Sequence, residues 1–485
     1  MMKISNLHDI FNTSFAKKEG SMLTYDLEKR TGQPLYLLLY RAIREDILSG
    51  KLSGKLPSKR TLAQHLKLST VTVENAYAQL IAEGFIESIE KKGYFVSEIP
   101  AIPTENRNFT KENAVKTSDS SVFLDLQKNQ PDPAVFPFSV WSKLMREVLS
   151  GEDREKLLGA ADPCGVVELR EAIAESLYRL RGLEVSPENI LIGAGTDFLY
   201  NVLAQLLGRN STCAVEDPGY SKIAEVYAAN LITVTHIPVE KDGISIEKLQ
   251  NSGANILHIS PSHHFPTGYV TQTTKRKELL AWAMEKEDRY IIEDDYDSEF
   301  RITGRPLPAM KSIDLMGKVI YMNSYTKTIA PSIRISYMVL PESLMQRFRE
   351  KLQFYSCTVP SFEQYTLARF IRGGYFERHL NRMKKHYREQ RKELIRLILE
   401  SPFAPYIKLI ENDSGLHFSL KINTKKSDRE VTFLAEKAGI RLSFMSGYAK
   451  LPADDYAHTV IINYSGIDMK KVPEALDRLR AVFLS

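Results

Sequence analysis

The residues best suited to chemistry in this sequence stand where apolar runs end. Ile292-Glu293-Asp294-Asp295-Tyr296 places carboxylates and a phenol just past one run, and Asn323-Ser324-Tyr325-Thr326-Lys327 closes another with an amine, followed by Arg334 after Pro331. Open α/β sheets bind ligands at the carboxyl ends of their strands, so these groups belong to a ligand site if the runs are strands. Gly195-Thr196-Asp197 precedes Phe198, Val202 and Leu206 at helical spacing, and its amides can face an anion at a helix N-terminus. Two further turns carry aromatic rings: Glu216-Asp217-Pro218-Gly219-Tyr220, and Pro261 to Gly268 with His263. Taken singly, each feature also has a plain structural meaning. The carboxylates read as a buried ion pair, Lys327 as a solvated surface side chain, and the turns as ordinary loops.

A different chemistry is concentrated near the N-terminus. From Lys51 to Thr70 there are five basic residues (Lys51, Lys55, Lys59, Arg60, Lys67) and no acidic ones, a footprint that phosphate backbones select. The plain reading of that stretch is a solvated helix face.

The elements that must position these groups follow from periodicity. Leu35, Leu38, Leu39, Ala42, Ile43, Ile47 and Leu48 form one apolar stripe on a helix from Pro34 to Ser49, which Gly50 and Gly54 break. Ser58 is placed as the N-cap of a short helix to Leu66, and Ser69 caps another that buries Val73, Ala76, Tyr77 and Leu80. That is a helix-turn-helix pair. Gly84 to Ile89 and Tyr94 to Val96 alternate as two strands around Lys91-Lys92-Gly93, a hairpin with a basic tip. Farther on, Ile190-Leu191-Ile192, Ile256 to Ile259, Tyr290-Ile291-Ile292 and Val319-Ile320-Tyr321 alternate with longer helical patterns, which predicts a mainly parallel sheet clad in helices. Between these regions, Ser97 to Ser121 has few apolar groups and no clear period and reads as a linker.

Bulk properties agree with several folded units. The 485 residues exceed one ordinary core, and 43% apolar with 26% charged residues is a globular composition. The net charge of +5 establishes no nucleic-acid partner by itself. Three scattered cysteines fit neither a disulfide framework nor a paired-cysteine metal site, and no apolar run is long enough for a membrane span. With no signal-peptide pattern at the start, the expectation is a cytoplasmic protein without membrane contact and without a metal site.

Leu56 to Val96 resembles the GntR-type winged helix along its length. The segments Leu126–Trp141, Asp162–Ser176, Glu216–Tyr220, Pro261–Gly268, Glu293–Arg301 and Ser324–Met338, taken in order, resemble the aminotransferase-like domain of the MocR family, which joins such a winged helix to a pyridoxal-phosphate fold. The resemblance implies an N-terminal α+β winged helix-turn-helix followed by an α/β aminotransferase-like domain. Expected boundaries are a tail over 1–22, the DNA-binding domain over 23–97, a linker over 98–121 and a cofactor-binding effector and dimerisation domain over 122–485.

The implied roles are specific. Ser58, Arg60, Ser69, Thr72 and Gly93 would contact double-stranded operator DNA, joined by Lys59, Thr70 and Lys92, with the helix after Ser69 in the major groove. For pyridoxal 5'-phosphate, Lys327 would form the Schiff base, Asp294 pair with the pyridine nitrogen, and Tyr296 bond the ring hydroxyl. Tyr220 would stack on the ring and His263 lie near its hydroxyl, while Ser324, Arg334 and the amides of Gly195, Thr196 and Asp197 hold the phosphate.

The sequence also departs from its relatives. Thr70 stands where many have an arginine, which removes a bidentate guanine contact. Asp197 replaces a glutamine beside the phosphate, Asn129 a glycine and Ala160 a tyrosine. Ile461 aligns with the arginine that clamps a substrate carboxylate, with Lys222 or Arg441 as candidate replacements. Three functions therefore stand together. The favoured one is a homodimeric transcription regulator sensing the cofactor or a small amino compound. The others are a competent aminotransferase with a DNA-binding appendage and a dimerisation scaffold without cofactor.

Overall fold

The computed structural model describes residues 23–25, 33–97, 122–151, 154–301, 307–402, 404–411, 415–452 and 454–484. The expected tail and linker lie outside the described residues. The chain divides into two compact units, 1–116 and 117–485.

In the first unit, α1 (Leu35–Leu48) buries Leu39, Tyr40, Ile43 and Ile47, the three- and four-residue spacing that puts side chains on one helical face. Helix α2 (Lys59–Leu66) starts where Ser58 Oγ accepts from the Thr61 amide at 3.2 Å, and α3 (Thr70–Ala82) where Ser69 Oγ accepts from the Thr72 amide at 3.0 Å. Each cap satisfies an amide that has no intrahelical partner. Lys67 turns the chain between them with φ 54°, a left-handed conformation. Val73, Ala76, Tyr77 and Leu80 of α3 face the core, and the Tyr77 hydroxyl donates to the Pro57 carbonyl at 3.0 Å. The sheet has three strands in the order β1 (Lys55–Leu56), β3 (Gly93–Val96), β2 (Ile86–Ile89). The two-residue β1 is too short to leave a period in the sequence.

The second unit is built on an eight-stranded sheet. In chain order its strands are β5 (Ile190–Gly193), β6 (Thr212–Asp217), β7 (Thr233–Glu240), β8 (Gly243–Ile244), β9 (Ile256–Ile259), β10 (Tyr290–Asp294), β11 (Val319–Ser324) and β12 (Ser336–Val339). They lie side by side as β5-β12-β11-β10-β9-β6-β7-β8. The central strands pair in parallel, while β12 is antiparallel to both neighbours and β8 to β7. Alternate residues feed opposite cores. Ile190, Ile192, Tyr321 and Tyr337 pack with Leu169, Ile173 and Phe370, whereas Leu191, Ile320, Met322 and Met338 pack with Leu199, Leu203 and Phe348. Helices therefore clad both faces, as a sheet with no solvated face requires.

A four-stranded antiparallel sheet, β13 (Ile407–Ile410), β14 (His417–Ile422), β17 (Thr459–Asn463) and β16 (Ser443–Phe444), together with the parallel pair β4 (Leu124–Asp125) and β15 (Ile440–Arg441), adds a second layer that the pattern of apolar runs does not anticipate. Phe418, Leu420, Val460 and Ile462 bury one of its faces against Leu394, Val431 and Leu476.

Candidate functional site

The ends of β10 and β11 place Asp294 and Lys327 on one cavity of about 390 Å³. Lys327 sits in the helical turn Tyr325–Thr328, which Ser324 opens by accepting from the Thr326 amide at 3.1 Å. Its Nζ donates to the Asn129 carbonyl at 2.5 Å. Burial pushes the amine down to about 8, because removing water penalises the ammonium form. An amine so placed is a nucleophile near neutral pH.

Asp294 is 6% exposed at the end of β10. Its Oδ2 accepts from the Tyr200 hydroxyl at 2.6 Å and lies 3.5 Å from His258 Nε2, while Oδ1 is buried without a hydrogen-bond partner. Tyr227 bonds His258 Nδ1 at 2.9 Å and so fixes the ring behind the carboxylate. A buried carboxylate oxygen left unpaired fits a cationic N–H donor, as a protonated pyridine supplies.

The anion-facing end of the cavity is the start of the helix Thr196–Leu207. Gly195 precedes it at φ +90°, a conformation that favours glycine, and a Cβ there would stand 2.4 Å from Arg334 Nη2 and push that guanidinium aside. Arg334 donates to the Ala194 carbonyl at 3.1 Å. The Asp197 carboxylate is bracketed by Lys222 Nζ at 2.7 Å and Arg334 Nη2 at 3.6 Å.

Gly195, Thr196, Asp197, Tyr220, Asp294, Tyr296, Ser324, Lys327 and Arg334 all line the cavity. Tyr220 is half exposed, its ring edge-on to Phe265 at 6.4 Å. His263 is absent from the lining. It stands behind Tyr296, with Nδ1 3.1 Å from the phenol oxygen and 2.9 Å from Asp297, and Phe265 is the residue of its turn that reaches the cavity. Periodicity gave no sign of Tyr200, His258, Tyr448 and Asn463, which also line the cavity, as does Glu216 from the turn that carries Tyr220. Glu216 accepts from the Ser260 amide at 2.9 Å, and burial pushes its carboxyl up to about 8.

Ile461 is fully buried on β17, opposite Ser419 and Ser443, so no cation occupies that position. Lys222 lines the cavity but is held by Asp197, and Arg441 pairs with Asp125 at 3.8 Å outside the lining.

In the first unit Arg60, Thr70 and Lys92 are exposed, as are the capping residues Ser58 and Ser69, while Thr72 and Gly93 are half-buried. Lys59 is committed within the unit: its Nζ lies 2.6 Å from Glu74 and 5.7 Å from the Tyr94 ring centre. Gly93 has φ +108° at the hairpin tip, beside Lys91 at φ 60°.

Comparison with known proteins brings both units under one family. Residues 35–96 match the model of the bacterial regulatory proteins of the gntR family. The HTH-type transcriptional regulator YdeL of Bacillus subtilis (strain 168) is 34% identical over 465 residues, covering 95% of this chain and 99% of that protein. The probable rhizopine catabolism regulatory protein MocR of Rhizobium meliloti is 31% identical over 477 residues, covering 95% and 96%. The fold of the large unit is that of a kynurenine aminotransferase from Pyrococcus horikoshii, with a TM-score of 0.65 at 23% identity over 76% of this chain and 92% of that one. Among the described residues, no helix is long and apolar enough to cross a membrane. The chain belongs to the MocR family of transcription regulators, in which a GntR-type winged helix precedes an aminotransferase-like domain.

Proposed function

We propose that this regulator binds pyridoxal 5'-phosphate in the cavity of its large domain and uses its occupancy, or reaction there with a small amino compound, to set its affinity for operator DNA. The observation that carries the reading is the pairing of a depressed-pKa amine, Lys327, with the unpartnered buried Oδ1 of Asp294 in one cavity. Lys327 would hold the aldehyde carbon, Asp294 the pyridine nitrogen and Tyr296 the ring hydroxyl, with Tyr220 against the ring face. Ser324, Arg334 and the amides of Gly195, Thr196 and Asp197 would hold the phosphate, and His263 would orient Tyr296 from behind. When bound, the cofactor supplies an aldehyde that condenses with primary amines and a ring that withdraws electrons.

On the DNA side, Ser58, Arg60, Ser69, Thr70, Thr72, Lys92 and Gly93 form the proposed contact set, with Lys59 contributing through its hold on Glu74. We place the domain boundaries at 23–97 and 122–485, with a linker between, in a cytoplasmic homodimer whose two winged helices read two half-sites. A working aminotransferase is the weaker reading, because Ile461 leaves the carboxylate of an α-amino acid without its bidentate partner.

The test is borohydride reduction of the protein with pyridoxal phosphate, followed by peptide mapping. The expected result is one phosphopyridoxyl group, on Lys327. No adduct, or an adduct spread over surface lysines, would overturn the reading.

A further inference from the structure

We propose that Lys222 and Asp197 act as one charge-compensated unit in the phosphate end of the cavity, with Lys222 a further cofactor-positioning residue. This rests on the cofactor reading given above. Asp197 sits in the first turn of the helix Thr196–Leu207, at the end that attracts anions, and a phosphate placed there meets its carboxylate at close range. Two like charges at such range repel, and in a partly enclosed cavity wall water screens them less than it does in bulk solution. Left alone, Asp197 would work against the binding that Arg334 favours.

Lys222 removes the conflict. It arises from the first turn of the helix Ser221–Ala229, directly after Tyr220, and both residues line the cavity. Its Nζ reaches the two carboxylate oxygens of Asp197 at 2.7 and 2.8 Å. With Arg334 Nη2 at 3.6 Å from the same carboxylate, two cations and one anion leave a single net positive charge, the charge that Arg334 alone would give. An ammonium has three donors, so one N–H of Lys222 is left for a phosphate oxygen after Asp197 takes two.

A purely structural role explains little of this arrangement. The side chains of Lys222 and Asp197 are 43% and 35% exposed, and ion pairs with that much water around them add little to stability. The pair lies in the cavity wall, where its charge bears on a ligand.

The test compares wild-type protein with Lys222→Met, Asp197→Asn and the double variant, each titrated with pyridoxal phosphate and, separately, with unphosphorylated pyridoxal. Lys222→Met is expected to weaken pyridoxal phosphate binding by roughly tenfold or more and to leave pyridoxal within about threefold of wild type. Asp197→Asn should bind the phosphate form as tightly as wild type or more tightly. The double variant should recover most of the tenfold loss. Equal affinities for wild type and Lys222→Met would overturn the proposal, as would a double variant as weak as Lys222→Met or a parallel loss for pyridoxal. A wild-type chain that captures neither aldehyde contradicts the cofactor reading itself and this inference with it.

Discussion

The Tyr200 hydroxyl donates to Oδ2 of Asp294 at 2.6 Å, and thereby leaves Oδ1 as the oxygen of that carboxylate still to be paired. Burial beside Asp294 raises the phenol well above its ordinary pKa, so Tyr200 remains a donor throughout the physiological range. Tyr200→Phe removes this bond and leaves a second buried carboxylate oxygen poorly satisfied. The expected cost is about 1–3 kcal/mol of stability, read from the guanidinium midpoint, together with weaker pyridoxal phosphate binding. An unchanged midpoint would show that Asp294 is not held in this way.

Lys327 gives a pH prediction. Only the neutral amine attacks an aldehyde, and burial lowers this amine from 10.5 to about 8. The rate at which cofactor-free protein captures pyridoxal phosphate should rise with pH and level off above about 8, and Lys327→Ala should abolish capture while remaining folded. A rate that climbs unbroken to pH 10.5 would point to surface lysines instead.

Glu216 should govern part of the pH dependence of stability. Its carboxyl is raised from 4.5 to about 8 by burial, so the folded state holds a proton that the unfolded state releases within that window. The stability it contributes is fully present below 4.5 and is lost as pH rises through about 8. Glu216→Gln keeps the shape and the neutral charge, so it should become progressively more stable than wild type across this window, by at most about 1.4 kcal/mol per pH unit. Parallel curves for the two proteins would remove this role.

The basic residues of the winged helix should separate into two classes. Arg60 and Lys92 are exposed, and replacing either by alanine should weaken binding to all sequences and lower the salt slope by about one. Lys59 is held by Glu74 at 2.6 Å, so Lys59→Ala should change the salt slope less. Equal slopes for the three variants, measured by fluorescence anisotropy across a salt series, would show that Lys59 leaves Glu74 for the phosphate backbone.

How much of this was legible in the sequence depended on how local the cause was. Ser58 and Ser69 could be placed because a cap is decided by one hydroxyl and the amide three residues on. Asp294 and Lys327 stood out because they follow uninterrupted apolar runs, which are buried on both faces as β10 and β11. Tyr200 could not be singled out. It stands among Leu199, Val202 and Leu203 on a helix and reads as one more core aromatic, and its partner is 94 residues away. His258 is hidden for the same reason inside β9. The turn Pro261 to Gly268 shows the limit of motif reading. Its composition marks a loop, but only the path of the chain decides that Phe265 reaches the cavity and His263 stands behind Tyr296. The antiparallel sheet that brings in Asn463 depends on pairings between segments dozens of residues apart, such as His417 with Asn463, which no local period records.

Ile461 and Lys327 together rank the effectors. The cavity keeps the amine and the carboxylate that an aldehyde cofactor needs, while the buried Ile461, which is not among its lining residues, offers no cation to an amino-acid carboxylate. Pyridoxal phosphate itself is therefore the expected direct effector. Its occupancy can shift DNA affinity only through a difference in its binding to two forms of the protein. The most direct test is to titrate DNA footprinted beside the protein's own gene with cofactor-free protein, loaded protein, and loaded protein plus each amino acid. The prediction is that loading alone displaces the isotherm, and that Lys327→Ala gives the cofactor-free curve whether or not the cofactor is added. Coincident isotherms for the free and loaded forms, with displacement produced only by one amino acid, would contradict it.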